Sequence, residues 1–385
     1  MGLTAIRPNS AVATDLHAAM AEAEACGVSR LADLTGLDVL GIHVFQAVRP
    51  WGRCLSVHQG KGLTPEAAKI GALMEAVEFD HAEAFVGEQH ACPFEELNPA
   101  ERAPTILDYA SDRRLALDPS EPINWVGAHR LTNGRILWTP YDSVSLDYTR
   151  MGDIRLDRTS NGVGARFDHE GACLKALTEL VERDADQAWR GSPAPTRSRA
   201  LVEAASIRLD WFEDVHSRAR AAGLLISIYH LPAVIALDVF ACEIFEPGAG
   251  AAVRRRCVGV GCGFSPENAL LAGVLEAAQS RLTAISGVRD DLPAPSTDQD
   301  DLFGLAFPPS VTSRLKRWDE ITANRPVSLE TSVENLAEAL AKAGYPDLGF
   351  VDLSRPGRRA CVVKAVVPGL GAYGRARRGP RRRLN

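Results

Sequence analysis

Small and apolar residues recur along one face of Thr64-Pro-Glu-Ala-Ala-Lys-Ile-Gly-Ala-Leu-Met-Glu-Ala-Val-Glu78, which predicts a helix with its start signal attached. Thr64 suits the N-cap, Pro65 the first helical position, and Glu66 the positive end of the helix dipole. About three turns in, Glu75 and Glu78 interrupt the apolar pattern from a single face. Further along, residues 198–222 read as helix, and Leu224–Tyr229 and Ile235–Phe245 read as strands between Pro and Gly punctuation. Thr331–Ala343 is patterned as an amphipathic helix stopped by Gly344, and Phe350–Leu353 and Ala360–Val367 as late strands. The Asp- and Pro-rich run 287–301, which includes Arg289-Asp290-Asp291, reads as a loop. The class is mixed α/β, with no clean internal domain boundary.

The opening helix has two echoes. One is Gly164-Ala-Arg-Phe-Asp-His-Glu-Gly-Ala-Cys-Leu-Lys-Ala-Leu-Thr-Glu179-Leu-Val-Glu182-Arg183. The other is Gly261-Cys-Gly-Phe-Ser-Pro-Glu-Asn-Ala-Leu-Leu-Ala-Gly-Val-Leu-Glu276-Ala-Ala-Gln279-Ser-Arg281. Each copy has a glycine fifteen residues before its anchoring Glu (Gly60, Gly164, Gly261) and a capping residue eleven before it (Thr64, Asp168, Ser265). A small residue stands three before the anchor (Ala72, Ala176, Gly273), and an acceptor three after it (Glu78, Glu182, Gln279). The uneven spacing of the copies excludes a solenoid array. It predicts one strand–Gly turn–helix unit used three times within a larger fold.

Ala68 and Ala72 share a stripe with Glu75, and the other copies repeat it, so another backbone or a ligand can approach closely there. The carboxylates lie too far into their helices to be explained by the helix N-terminus. Two readings stay open: solvated acids on three surface helices, or acids converging on cations. Repetition of the offset in three copies favours the second. Clustered carboxylates repel unless cations neutralise them, and all-oxygen ligation suits Mg2+ or Ca2+ rather than zinc.

Composition narrows the class further. The 385 residues are 46% hydrophobic and 24% charged, as expected for a globular chain able to bury a large core. No run approaches a membrane span, and the N-terminus lacks a signal-peptide core or a myristoylation pattern, so a cytoplasmic protein is expected. Eight scattered cysteines without a C-x-x-C pair argue against a zinc site or a disulfide framework, and Cys262 reads as a small buried thiol. Among the histidines only His58 stands beside a motif, and a core role is its plainer reading. The net charge of −6 includes six arginines between Arg375 and Arg383, leaving the remainder near −12. A solvated, disordered tail is the expectation there, with nucleic-acid binding the lesser alternative.

Taken in order, these segments resemble the YcaO family, ATP-dependent enzymes that activate peptide-backbone amides. The resemblance runs from about Gly27 to Gly369. It includes Leu37-Asp-Val-Leu-Gly-Ile-His-Val44, Ser56-x-x-x-Gly-Lys-Gly62 and Ser160-Asn-Gly162. It continues through Glu179-x-x-Glu-Arg-Asp184, Glu276-Ala-Ala-Gln-Ser-Arg281, Ser286-Gly-Val-Arg-Asp-Asp291 and Val366-Val-Pro-Gly369. It implies a YcaO-like catalytic domain over 27–370, flanked by an N-terminal extension (1–26) and the basic tail (371–385).

The family binds ATP without a P-loop, and none occurs here, since Lys61 is followed by Gly62. By resemblance, Glu75, Glu78, Glu179, Glu182 and Glu276 are expected to ligate Mg2+. Asn161, Arg183, Gln279 and Arg281 are expected at nucleotide-contacting or supporting positions, and Lys61 matches the family's Gly-Lys-Gly. One departure is Phe79, where the family pattern places an arginine after the second Glu. The resemblance implies a ribosomally synthesised precursor peptide as substrate. It also implies a separate partner protein, TfuA-like or peptide-recognising, and a homo-oligomer. Thioamide formation is favoured over azoline formation because the C-terminus lacks a Pro-x-Pro-x-Pro tail. A non-catalytic scaffold is the remaining alternative.

Overall fold

The computed structural model describes residues 10–111, 117–246, 256–287, 315–323 and 332–370. Three antiparallel sheets organise them. The first contains β1 (Arg30–Asp33), β2 (His43–Val48) and β3 (Val57–Gly62) in that order, with His43 opposite Gly62. The second contains β4 (His90–Pro93), β5 (Pro122–Arg130), β6 (Ile136–Pro140) and β7 (Val163–Arg166), joined late in the chain by β12 (Gly349–Asp352) and β13 (Cys361–Val366). Its order is β4-β5-β12-β13-β7, with β6 also paired to β5. The third contains β8 (Leu201–Val202), β9 (Leu225–Leu231), β10 (Asp238–Phe245) and β11 (Cys257–Gly263), in the order β11-β10-β9-β8.

Each sheet ends in a strand that leads directly into one long helix. β3 precedes α2 (Pro65–Ala84), β7 precedes α3 (His169–Arg190), and β11 precedes α6 (Pro266–Ser286). The predicted caps form: Thr64, Asp168 and Ser265 accept from the backbone N–H of Ala67, Gly171 and Asn268. α2 also touches β7, α3 touches β11, and α6 touches β3, so the three units close into a ring. The expectation of one unit used three times is met, and sequence spacing alone did not disclose the ring.

The small stripes serve this closure. A Cβ on Gly60 would lie 2.1 Å from the carbonyl oxygen of Ala68 and 2.1 Å from the nitrogen of Ala72. Gly164 meets Ala172 at 2.3 Å in the same way, and Gly261 meets the Gly273 nitrogen at 2.3 Å. Ala68, Ala72, Ala172, Ala176 and Ala269 are all fully buried. The close approach is therefore made by each helix's own strand, and the stripe is not available to a ligand.

α1 (Ser10–Ala25) packs on α2 through Ala19 and Ala23. α5 (Asp210–Ala221) covers the third sheet through Phe212 and Val215, and α8 (Val333–Lys342) covers α3 through Leu336 and Leu340. The short α4 (Ala194–Ser198) and α7 (Trp318–Ala323) complete the helices of the described residues. No helix among these residues is long and apolar enough to cross a membrane.

One sequence expectation fails. Residues 198–222 are not a single helix: Leu201 and Val202 pair with Tyr229 and Ile228 at the sheet edge, a 3-10 turn spans Ala204–Ser206, and α5 starts only at Asp210. Strand pairing with a distant segment overrides local helix preference there. The late strands and the α8 helix fall within a few residues of their predicted limits. Of the loop expected at 287–301, only Gly287 is described, with a φ of 62° closing α6; Arg289, Asp290, Asp291 and the arginine tail lie outside the described residues.

Candidate active site

With their small stripes turned to the strands, α2, α3 and α6 direct their acidic positions toward one another. Lys175 on α3 donates to Glu78 Oε2 on α2. Lys61 on β3 lies 3.3 Å from Glu276 on α6. Arg183 stands among the groups, 3.6 Å from Glu179, 3.5 Å from Glu182 and 4.0 Å from Glu276. Backbone amides finish the frame: Gln59 N–H donates to Glu75 at 2.6 Å, and Gly162 N–H donates to Glu179 at 3.3 Å.

The electrostatics follow from burying like charges together. Burial, then the nearby Glu78, pushes the Glu75 carboxyl up to about 7. Burial raises Glu179, with Arg183 opposing and Glu78 adding to the rise. Glu182 goes well above the ordinary carboxylate range through burial and repulsion from Glu276. Five carboxylates face Lys61, Lys175 and Arg183, so negative charge is in excess. Among the described residues no three His, Cys, Asp or Glu side chains form a closed metal-binding group. The basic side chains stand between the acids instead. An all-oxygen donor set carrying surplus negative charge fits a hard divalent cation such as Mg2+.

The remaining predicted residues sit around this cluster. Asn161 precedes Gly162, and its amide nitrogen is buried without a hydrogen bond. Gln279, one turn after Glu276, likewise has a buried, unpaired amide oxygen. Arg281 is not drawn into the cluster; it lies 3.0 Å from Asp38, just beyond the first strand. His58 faces away from the acids. It is 1% exposed, lies 5.0 Å from the Phe79 ring, and is held down to about 3 by burial and then Arg49. Phe79 is thus a core residue, and Lys175 on the neighbouring helix supplies the cation that Glu78 lacks in its own unit. Cys262 is a half-buried thiol raised well above its usual range by burial and by Glu182.

Three contributors were missed by sequence reading. Lys175 occupies the offset filled by Gly71 and Ala272 in the other units, so a charged exception to the repeat was its signal. Asp38 lay in a quoted motif with no assigned task. Lys364 on β13 is 6% exposed; its amine donates to the Thr159 carbonyl at 2.7 Å, and burial lowers it to about 8. No local pattern distinguishes it from a strand residue.

The model of the YcaO cyclodehydratase family, described as ATP- and Mg2+-binding, matches residues 59–371. An uncharacterized protein from the tfuA 3' region of Rhizobium leguminosarum bv. trifolii is 30% identical over 368 residues, covering 89% of this chain and 84% of the relative. The structure of YcaO from Methanopyrus kandleri bound with AMPPCP and Mg2+ superposes with a TM-score of 0.72 at 22% identity, covering 97% of this chain and 93% of that one. A heterocyclase in complex with substrate and cofactor gives a TM-score of 0.73 at 22% identity, with 89% of this chain spanning 50% of that longer one. The chain belongs to the YcaO family of ATP- and Mg2+-binding proteins.

Proposed function

We propose that this chain performs ATP- and Mg2+-dependent activation of a peptide backbone amide, forming a thioamide in a ribosomally made peptide with a TfuA-like partner. The observation that carries the reading is the convergence of Glu75, Glu78, Glu179, Glu182 and Glu276 from three helices with their charge incompletely offset. When bound, Mg2+ and ATP supply a charge-neutralised phosphoryl group for the amide oxygen. Glu75, Glu78, Glu179, Glu182 and Glu276 would hold the metal, and Lys61 and Arg183 would meet phosphate oxygens. Gln279, with its unspent buried amide oxygen, offers a contact to the nucleotide. Arg281, anchored by Asp38, supports the rim.

The chemistry balances as an amide plus hydrosulfide plus ATP giving a thioamide, ADP and phosphate. Sulfur adds to the carbonyl carbon, the γ-phosphoryl passes to the oxygen, and C–O cleavage with proton loss leaves C=S. Placement of the reactants and neutralisation of phosphate charge are the protein's share. The tfuA-region relative supports a TfuA-like partner. The heterocyclase likeness favours a second product, an azoline formed by a substrate Cys, Ser or Thr side chain.

Glu179→Gln and Glu182→Gln are each expected to abolish ATP turnover with the fold intact; wild-type turnover in both contradicts the reading. Intact-mass measurement of the modified peptide separates the products. Replacement of one oxygen by sulfur marks a thioamide, and loss of one water marks an azoline.

A further inference from the structure

Lys364 differs from the other lysines of the site. Lys61 and Lys175 are about a third exposed and paired with carboxylates. Lys364 is 6% exposed, and among the described residues its amine has no carboxylate at ion-pairing distance and one hydrogen bond, to the Thr159 carbonyl. Asp157, Glu179 and Glu78 act on it only from beyond ion-pairing distance, which leaves its burial incompletely compensated, and such groups are found where a ligand completes them.

The lysine borders a cavity of about 70 Å3 lined also by Asp108, Tyr109, Thr139, Asp157, Asn161 and Leu180. Leu180 follows Glu179 in α3, and Asn161 precedes the Gly162 amide that donates to Glu179, so the cavity adjoins the carboxylate cluster. Two donors face it without full use: the Lys364 amine and the buried, unbonded Asn161 amide nitrogen. Two incompletely used donors among the lining residues call for an acceptor oxygen.

We propose that this cavity seats the backbone amide of the peptide to be modified, with the Lys364 amine and the Asn161 amide directed at its carbonyl oxygen. This rests on the amide-activating reading and names the substrate-binding residue that reading lacks. Lys364 would stabilise the negative charge that gathers on the oxygen when the nucleophile adds, and hold that oxygen beside the nucleotide site.

The test titrates acetyl-pentaglycine amide, which offers backbone carbonyls and no side chains, into the full chain with and without Mg-AMPPCP. Nucleotide affinity is measured separately, so failure of the ATP reading shows in the nucleotide titration and failure of this proposal in the peptide titration. Wild type and Lys364→Arg are expected to bind the peptide within about threefold of each other. Lys364→Met is expected to bind it at least about tenfold more weakly with unchanged AMPPCP affinity. Lys364→Gln, which keeps a donor without the charge, is expected to fall between. Melting temperatures are read alongside, and a Lys364→Met variant that stays folded at the assay temperature with unchanged AMPPCP affinity separates lost peptide binding from lost folding. Wild-type peptide affinity in Lys364→Met, or no peptide binding by wild type, overturns the proposal.

Discussion

The two faces of α2, α3 and α6 obey different rules. On the strand-facing side the three units are near copies: Ala68 and Ala72, Ala172 and Ala176, Ala269 and Gly273 close on Gly60, Gly164 and Gly261. Around the anchoring Glu they diverge. One turn before the anchoring Glu stand Gly71, Lys175 and Ala272; one turn after it stand Phe79, Arg183 and Ser280. Packing a helix against a strand has one solution here, set by backbone distances. A site that must hold several different groups needs unlike side chains at like positions. Hence one backbone device carries three chemical inventories, and a cation missing from one unit is lent by its neighbour, as Lys175 is to Glu78.

The comparison predicts that the two faces break differently. The largest effect is expected on the strand-facing side. Gly60→Ala puts a methyl 2.1 Å from the α2 backbone and should lower stability by about 3 kcal/mol or more, read by urea unfolding. Lys175→Met leaves the nearly buried Glu78 without its cation and should cost about 1–3 kcal/mol. Adding Glu78→Gln should return part of that loss, because it removes the stranded charge. Smaller still is a pH dependence of a few degrees in melting temperature. The Glu75 carboxyl titrates at about 7 in the fold against 4.5 as a free group, so between those values the folded chain holds a proton that the unfolded chain has released. The part of the stability that Glu75 contributes without metal, read as the difference between wild type and Glu75→Gln, should therefore fall as pH rises from about 4.5 to 7, and added Mg2+ should reverse that slope near neutrality.

The same division explains what could be read from the chain. Glycine, cap, small stripe and anchoring Glu recur at fixed offsets because one helix packs on one adjacent strand, a local relation that spacing records. The three units and their acidic faces were legible for that reason. The ring closure, the lending of Lys175 to Glu78, and the anchoring of Arg281 by Asp38 join segments tens to hundreds of residues apart. Such pairings leave no periodicity. Residues 198–222 failed in the same way, since Leu201 and Val202 answer to β9 rather than to their neighbours. Phe79 looked like a defect in the charge pattern because the repeat was read one unit at a time; in the fold it packs against His58.

The central claim is that carboxylates from three helices act together as one Mg2+–nucleotide site. Calorimetric titration of AMPPCP into the wild type, with and without Mg2+, and into Glu182→Gln with Mg2+, tests it most directly. The account predicts wild-type binding that depends on Mg2+ and weakens at least about a hundredfold in Glu182→Gln, while that variant melts no lower than wild type because a repelled buried charge has been removed. Equal nucleotide affinity with and without Mg2+, or wild-type affinity in Glu182→Gln, would contradict it.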